Sequence, residues 1–330
     1  MELLFLLPLL VGFGLYELFT SDPADSTDEP NPDDNGGTDG GGTDGGPTAT
    51  VFSGDENAEE IAGGEGDDVV AGGGNNDTLT GDDADDLLLG EAGDDSMSAT
   101  QGFDTLLGGG GDDSMVGGRG QDWLIGGAGD DFLLGGEGDD TLSGSTGADT
   151  LEGFKGNDLI SGLDIRDDAD ALQTNLLTSA SGATQIAQSL EDYVTTNFDV
   201  SATPDILARL DRGLTNANTT DNADDELFGG RGDDTLVGDF SDTMTGGRGK
   251  DDFAILSDGA NEAVTVTDLD TSLDSLNITV PTGTNPAVTL VNGATPEVGV
   301  SVVIAGDVVA VLQGLTAANI PTGFINVTVA

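Results

Sequence analysis

The chain has 330 residues and carries 63 Asp plus Glu against 8 Lys plus Arg, a net charge of −55. Such a chain repels itself and does not bind nucleic acid or anionic lipid unaided. It contains no Cys and no His, which excludes thiolate and imidazole zinc sites, Ser-His-Asp catalysis and disulfide staples.

Met1–Phe19 is an apolar run with Glu2 as its single charge before Glu17. Spanning a bilayer takes about 20 apolar residues. The run lacks the basic start and the small-residue cleavage site of a secretory signal. It reads as a hydrophobic anchor touching the membrane through residues 3–19, as an atypical export segment, or as a product of start-site choice. Residues 20–53 are dominated, over 20–50, by Asp, Gly, Pro, Ser, Thr and Asn. They have little to bury, so a disordered acidic linker is expected.

From Gly54 to Ser161 the chain repeats every nine residues without losing phase. The best copies, Gly108–Val116, Gly117–Ile125, Gly126–Leu134 and Gly135–Ser143, read G-G-x-G-x-D-x-U-x, with U a large aliphatic. The sixth place is Asp68, Asp77, Asp86, Asp95, Asp104, Asp113, Asp122, Asp131, Asp140, Asp149 and Asp158 in turn. The eighth is always aliphatic or Met, from Ile61 to Ile160. Residues one to six suit a turn, because Gly at places one, two and four permits positive φ and close backbone approach. Residues seven to nine suit a short strand whose eighth side chain points inward. Two copies make one coil, so residues 18 apart stack, and the Asp residues fall into two rows. A row of stacked carboxylates demands cations, and Ca²⁺, a hard ion that prefers oxygen, fits.

Residues 162–170 read as a decayed further copy that closes a first roll over residues 54–170. Residues 171–219 lose the pattern. Ile186, Ala187, Leu190, Tyr193, Val194 and Phe198 fall at 3- and 4-residue spacings, and Thr203-Pro204 is a helix start. A helical insertion is expected there. The repeat resumes over residues 220–254, with Asp225, Asp234 and Asp251 at ligand places and the copy Gly238–Thr245 one residue short. Residues 255–330 alternate apolar and polar, with Gly306-Asp307 as a two-residue hairpin turn. A β-rich terminal cap is expected, since a solenoid otherwise ends in an open edge.

Residues 54–161 and 220–254 resemble the RTX (repeats-in-toxin) calcium-binding family. The resemblance implies an all-β fold: a parallel β-roll, the RTX nonapeptide solenoid, here with a helical insertion and a β-rich C-terminal cap. It implies Ca²⁺ held by the sixth-place Asp of two stacked turns and by backbone carbonyls of the glycine turn. In the best copies those glycines are Gly109, Gly111, Gly118, Gly120, Gly127, Gly129, Gly136 and Gly138. It implies secretion too, with a C-terminal export signal in the same segment as the cap. Weaker sites are expected at Gly54–Ala62, where Glu59 replaces Asp, and over Gly81–Leu107, where Asp82, Glu91 and Thr100 replace the second glycine. Gly108–Ser143 should hold Ca²⁺ most tightly.

Metal must supply most of the stability, because one aliphatic per nine residues cannot offset an ordering cost of about 1–2 kcal/mol per residue. The outward residues of the two sheets differ. One face, with Leu87, Leu89, Trp123 and Ile125, is apolar; the other is rich in Ser and Thr. The apolar face is expected to be covered by the helical insertion or another chain. The sequence points to a secreted or surface-held Ca²⁺-binding repeat protein, not an enzyme, with a structural or adhesive role and a cell-surface or glycan partner. Binding of polysaccharide or ice through the roll face, and a secreted hydrolase without a recognisable catalytic domain, are the alternatives.

Overall fold

A computed structural model describes residues 51–162, 224–239, 241–257, 263–295 and 298–329. Within the first of these ranges lie β1 (Val51–Ser53), β2 (Glu60–Glu65), β3 (Val69–Gly74), β4 (Thr78–Asp83), β5 (Leu87–Ala92), β6 (Ser96–Gly102), β7 (Thr105–Gly110), β8 (Ser114–Gly120), β9 (Trp123–Ala128), β10 (Phe132–Glu137), β11 (Thr141–Thr146), β12 (Thr150–Lys155) and β13 (Leu159–Ser161). Then follow β14 (Glu226–Arg231), β15 (Thr235–Gly238), β16 (Thr243–Arg248), β17 (Asp252–Leu256), β18 (Val264–Val266), β19 (Ser275–Val280), β20 (Val288–Asn292), β21 (Val300–Ile304), β22 (Asp307–Leu312) and β23 (Ile325–Val329). No helix occurs among the described residues. The expected helical insertion lies outside them, as does Met1–Phe19.

Odd-numbered strands form an 11-stranded sheet, ordered β1-β3-β5 onward to β19 and then β23. Even-numbered strands β2 to β18 begin a 12-stranded sheet that ends β22-β21-β20. Neighbours along the repeat pair in parallel, with Leu106 opposite Leu124 and Met115 opposite Leu133. The register places identical repeat positions beside one another, so each strand adds one rung to its ladder. Eighth-place side chains meet between the sheets: Val70, Leu88, Leu106, Leu124, Leu142 and Ile160 come from one sheet, and Met115, Leu133 and Leu151 from the other, all fully buried.

The strands are longer than three residues. β9 to β12 each run six residues, through places seven to nine and on into the first three places of the next copy. Glycine backbone therefore takes part in the ladder. The roll also starts earlier than the repeat. Val51–Ser53, read in the sequence as the end of a linker, pairs with Val69–Ala71 as β1.

The two repeat runs are continuous in space. β12 pairs with β14 and β13 with β15 in the register of the other rungs. Asp149 N–H donates to Asp225 Oδ1 across 76 residues, where its counterparts span 18, so 58 residues are looped out of one rung. A Cβ on Gly162 would meet Asp225 Oδ2 at 2.1 Å, the same relation that Gly126 has to Asp131. Gly162 is therefore the first residue of a copy whose sixth is Asp225, and not the start of a decayed copy ending the first run.

Beyond β17 both ladders continue on different chemistry. β18 and β19 add parallel rungs, and β20–β21–β22 form an antiparallel meander. The turn between β21 and β22 is Ala305-Gly306, both at positive φ, one residue earlier than the sequence suggested. β20 was not expected from the sequence, because its side chains are mostly exposed and give no clear alternation. Alternation elsewhere builds a denser core here: Leu276, Ile278, Val280, Val300, Val302, Ile304 and Leu312 join the roll's aliphatic column.

The outer faces differ as the sequence suggested. On the odd sheet Leu87, Leu89 and Ile125 are 0%, 3% and 5% exposed, although they point away from the core, and Trp123 is half-buried. On the even sheet Thr78, Ser96 and Ser114 are exposed, and Phe132 is 41% exposed.

Candidate metal centre

The sixth-place Asp ends each glycine turn, one residue before its strand. That position fixes its backbone in the ladder and leaves its carboxylate between turns. Two rows result. In one, Asp68 N–H donates to Asp86 Oδ1, and the same bond recurs from Asp86 to Asp104, Asp104 to Asp122, Asp122 to Asp140, Asp140 to Asp158, Asp158 to Asp234 and Asp234 to Asp251, at 2.8–3.0 Å. In the other, Asp77, Asp95, Asp113, Asp131, Asp149 and Asp225 are joined in the same way at 2.7–2.8 Å. Every Asp singled out in the sequence thus stands in one of the two rows, buried.

Each carboxylate uses one oxygen in this bond. The second oxygen, Oδ2, of Asp77, Asp86, Asp95, Asp104, Asp113, Asp122, Asp131, Asp140, Asp158 and Asp234 is buried with no hydrogen-bond partner. Burial of an unpaired carboxylate is costly. It pushes Asp86, Asp113, Asp122 and Asp158 up to about 8, Asp104 and Asp131 to about 7, and Asp95, Asp140, Asp234 and Asp251 to about 6. The hydrogen bond from the neighbouring turn opposes the rise, and nearby carboxylates add to it. Among the described residues the ion pairs are Arg119–Glu137, Lys155–Glu137 and Lys250–Asp252, all on the surface, and none involves a row carboxylate.

Backbone carbonyls face the same gaps. A Cβ on Gly127 or Gly129 would lie 2.2 Å from the carbonyl oxygen of Gly109 or Gly111 in the preceding turn. Gly118 and Gly120 carbonyls stand in the same relation to Gly136 and Gly138, as does the Gly129 carbonyl to Gly147 and that of Gly138 to Gly156. The Gly127 carbonyl also accepts a bond from Thr146 Oγ1. The gap after the turn of Gly108–Asp113 is therefore lined by the Gly109 and Gly111 carbonyls and by the Asp131 carboxylate, which reaches back to Asp113. No three acidic side chains cluster together among the described residues. The donor set is instead few carboxylates plus several carbonyls, all oxygen, which suits Ca²⁺ with its 6–8 oxygen ligands. The orphaned Oδ2 atoms show that the residues present fit such an ion.

The second place keeps its left-handed backbone even without glycine: φ is 88° at Asp82, 79° at Glu91 and 100° at Thr100. Ser145 and Phe154 do the same at 84° and 78°. The turn shape is thus imposed by the stack, at a strain of about 1–2 kcal/mol per non-glycine residue.

Sequence reading missed two members of the rows, Asp242 and Asp274, and one carboxylate beside them, Asp268. Asp242 is fully buried, accepts from Asp225 and Asp239 N–H, and is pushed up to about 9 by burial and by the Asp225 carboxylate. Its copy is one residue short, so counting from Gly238 lands on Thr243; counting back two from Met244 finds it. Asp274 accepts from Asp251 N–H, and Asp268 accepts from Gly246 and Gly247 N–H, where the glycine signal has faded. Asp274-Ser275-Leu276 keeps the D-x-U spacing and was the available clue. Fifth-place residues form a further ladder running the other way: Asp112 N–H donates to Asp94 Oδ1 and Asp130 N–H to Asp112 Oδ1.

Overlapping windows covering residues 53–164 and residues 219–253 match the family model of the RTX calcium-binding nonapeptide repeat (4 copies). No curated protein matches the chain.

Proposed function

We propose that this chain, whose residues 53–164 and 219–253 are RTX calcium-binding nonapeptide repeats, is a structural or adhesive protein of the cell exterior, secreted or held at the surface, that folds when it binds Ca²⁺. The observation that carries this reading is the pair of buried carboxylate rows with orphaned Oδ2 atoms. Such rows are unfavourable without a cation, and oxygen donors from two successive turns line each gap.

In this reading Ca²⁺ neutralises the rows and cross-links successive turns. Asp113, Asp131 and the carbonyls of Gly109 and Gly111 hold it in one gap. Asp122, Asp140 and the carbonyls of Gly118 and Gly120 hold it in the next. The same pattern extends along both rows to Asp242, Asp251 and Asp274. The thin aliphatic column cannot hold the roll together alone, so binding and folding are one event. A chain that needs Ca²⁺ to fold stays expanded where Ca²⁺ is scarce, and so remains exportable. It then becomes rigid where Ca²⁺ is abundant. No reaction is assigned to it. The expected result is a cooperative gain of far-ultraviolet β-sheet circular dichroism as Ca²⁺ is added to the chelated chain. Equal β content in EDTA and in millimolar Ca²⁺ would refute the reading.

A further inference from the structure

The outer face of the odd-numbered sheet is buried within a single chain, yet none of the described strands covers it. Its ninth-place row, including Leu89, Leu107, Ile125, Ser143, Ser161 and Val237, is buried from β3 to β17. The matching row of the even sheet, including Thr80, Ser98, Val116, Leu134 and Glu152, is only half-buried. Both rows occupy the same repeat position, with the same flanking glycines, so the difference comes from something lying on one sheet. The described strands all sit within the two sheets, and the C-terminal ones lengthen the ladders instead of stacking on a face. The eight strands from β3 to β17 span about 34 Å at ~4.8 Å each.

We propose that residues 163–220, inserted within a single nonapeptide, dock on this outer face and form a second apolar layer along the roll. Three observations favour this segment over residues 1–50. First, it leaves the roll at Gly162, directly after β13 of the odd sheet, and the buried row extends from there in both directions. Residues 1–50 join at β1, at one extreme of the sheet, and their 20–50 portion is acidic and polar. Second, residues 163–220 place Ile186, Leu190, Val194 and Phe198 at helical spacing, a one-sided stripe that can cover a sheet and keep its polar side in water. Residues 3–19, by contrast, are apolar on every side and would expose a new apolar surface. Third, the insertion is cleanly separable in the sequence. Removing it joins Gly162 to Asp221–Phe228 and gives GDNADDELF, nearly the copy Gly81–Leu89, GDDADDLLL. Gly162 already stands against Asp225 as the first residue of a copy stands against its sixth. The rung therefore closes with or without the insertion, which leaves the insertion available for the face. Its role is to shield Leu87, Leu89 and Ile125 from water and to stabilise the middle coils by burial that does not depend on metal.

The chain has no Cys and one Trp, Trp123, on this face, so two reporters come without background. Ser143→Cys and Ser98→Cys place a thiol at the ninth place of the odd and even sheets. In the full-length chain with Ca²⁺, Ser143→Cys should react with a maleimide at least about tenfold more slowly than Ser98→Cys, as burial protects it. Excising residues 163–220 should bring the two rates together and move Trp123 emission to longer wavelength, measured on monomer isolated by size exclusion. Deleting residues 1–50 should do neither. Circular dichroism checks that the excised chain folds. If it does not, Leu190→Asp in the full-length chain gives the same reading by loosening the cover. The proposal is overturned if Ser143→Cys is as reactive as Ser98→Cys in the intact chain. It is also overturned if protection survives both excision and Leu190→Asp, or if deleting residues 1–50 is what exposes the thiol.

Discussion

The roll over residues 51–256 and the strands over residues 264–329 share the same two sheets but are held by different physics. In the roll a copy of nine residues contributes one inward side chain to the column between the sheets, such as Leu124 or Leu133, and one buried carboxylate. In the C-terminal strands burial is denser: Val300, Val302 and Ile304 of β21 and Leu276, Ile278 and Val280 of β19 are all in the core. Carboxylates there are sparse beyond Asp268 and Asp274. The roll is organised around buried carboxylates that call for cations, whereas the C-terminal strands resemble an ordinary hydrophobic sheet. Regular hydrogen-bonded strands therefore do not imply a common source of stability.

The largest expected effect separates the two regions directly. Chelating Ca²⁺ should abolish amide hydrogen-exchange protection across residues 105–143, while residues 300–312 keep measurable protection. Equal loss in both would erase the distinction.

Acidification should act next, and in the opposite sense to ordinary acid denaturation. In the metal-free fold, Asp113 and Asp122 titrate near 8, against an ordinary 3.8. Between those values the folded roll holds protons that the unfolded chain has released. Stability therefore falls as pH rises from about 4 to 8. In EDTA the chain should gain β-sheet dichroism on going from pH 8 to pH 4.5, whereas in Ca²⁺ the same acidification should weaken metal binding. A chelated chain that stays unstructured at both pH values would show that the rows are not the obstacle to folding.

Single substitutions sharpen the contrast further. Asp131→Asn keeps an oxygen for Asp113 N–H but removes the charge. It should raise the Ca²⁺ midpoint of folding by on the order of tenfold, as for lost metal-site groups, and leave residues 300–312 unchanged. Leu312→Ala should do the reverse, costing about 2–5 kcal/mol of the Ca²⁺-independent region with little change in the Ca²⁺ midpoint. The smallest effect belongs to the turn backbone. Thr100→Gly relieves a φ of 100° and should stabilise the Ca²⁺-loaded roll by about 1 kcal/mol, visible as a modest rise in thermal midpoint.

Much of the roll was legible because its signal is periodic. A fixed spacing of Asp and aliphatic residues specifies which side chains stack, so the two rows from Asp68 to Asp158 and Asp77 to Asp149 followed from counting. Where the count slips, the reading failed. Asp242 was hidden by a missing residue, and Asp274 by the loss of glycine around it, although each occupies its row. Strand ends were misjudged for a related reason. Glycine looks like a turn residue in sequence, yet here it extends each strand because the backbone of the next turn lies close enough to pair.

The sequence by itself determined the repeat unit, the inward column of Leu, Ile, Val and Met, the two carboxylate rows and the demand for a hard cation. These depend on spacing and side-chain chemistry alone. Only the tertiary structure decided that Gly162 and Asp225 belong to one copy, that β1 opens the roll, that the ladders run on past the repeats, and that one outer face is buried while the other is not. Those features arise from pairing between residues far apart in the chain. A ladder bond forms wherever two backbones meet in register, whatever length of chain lies between them.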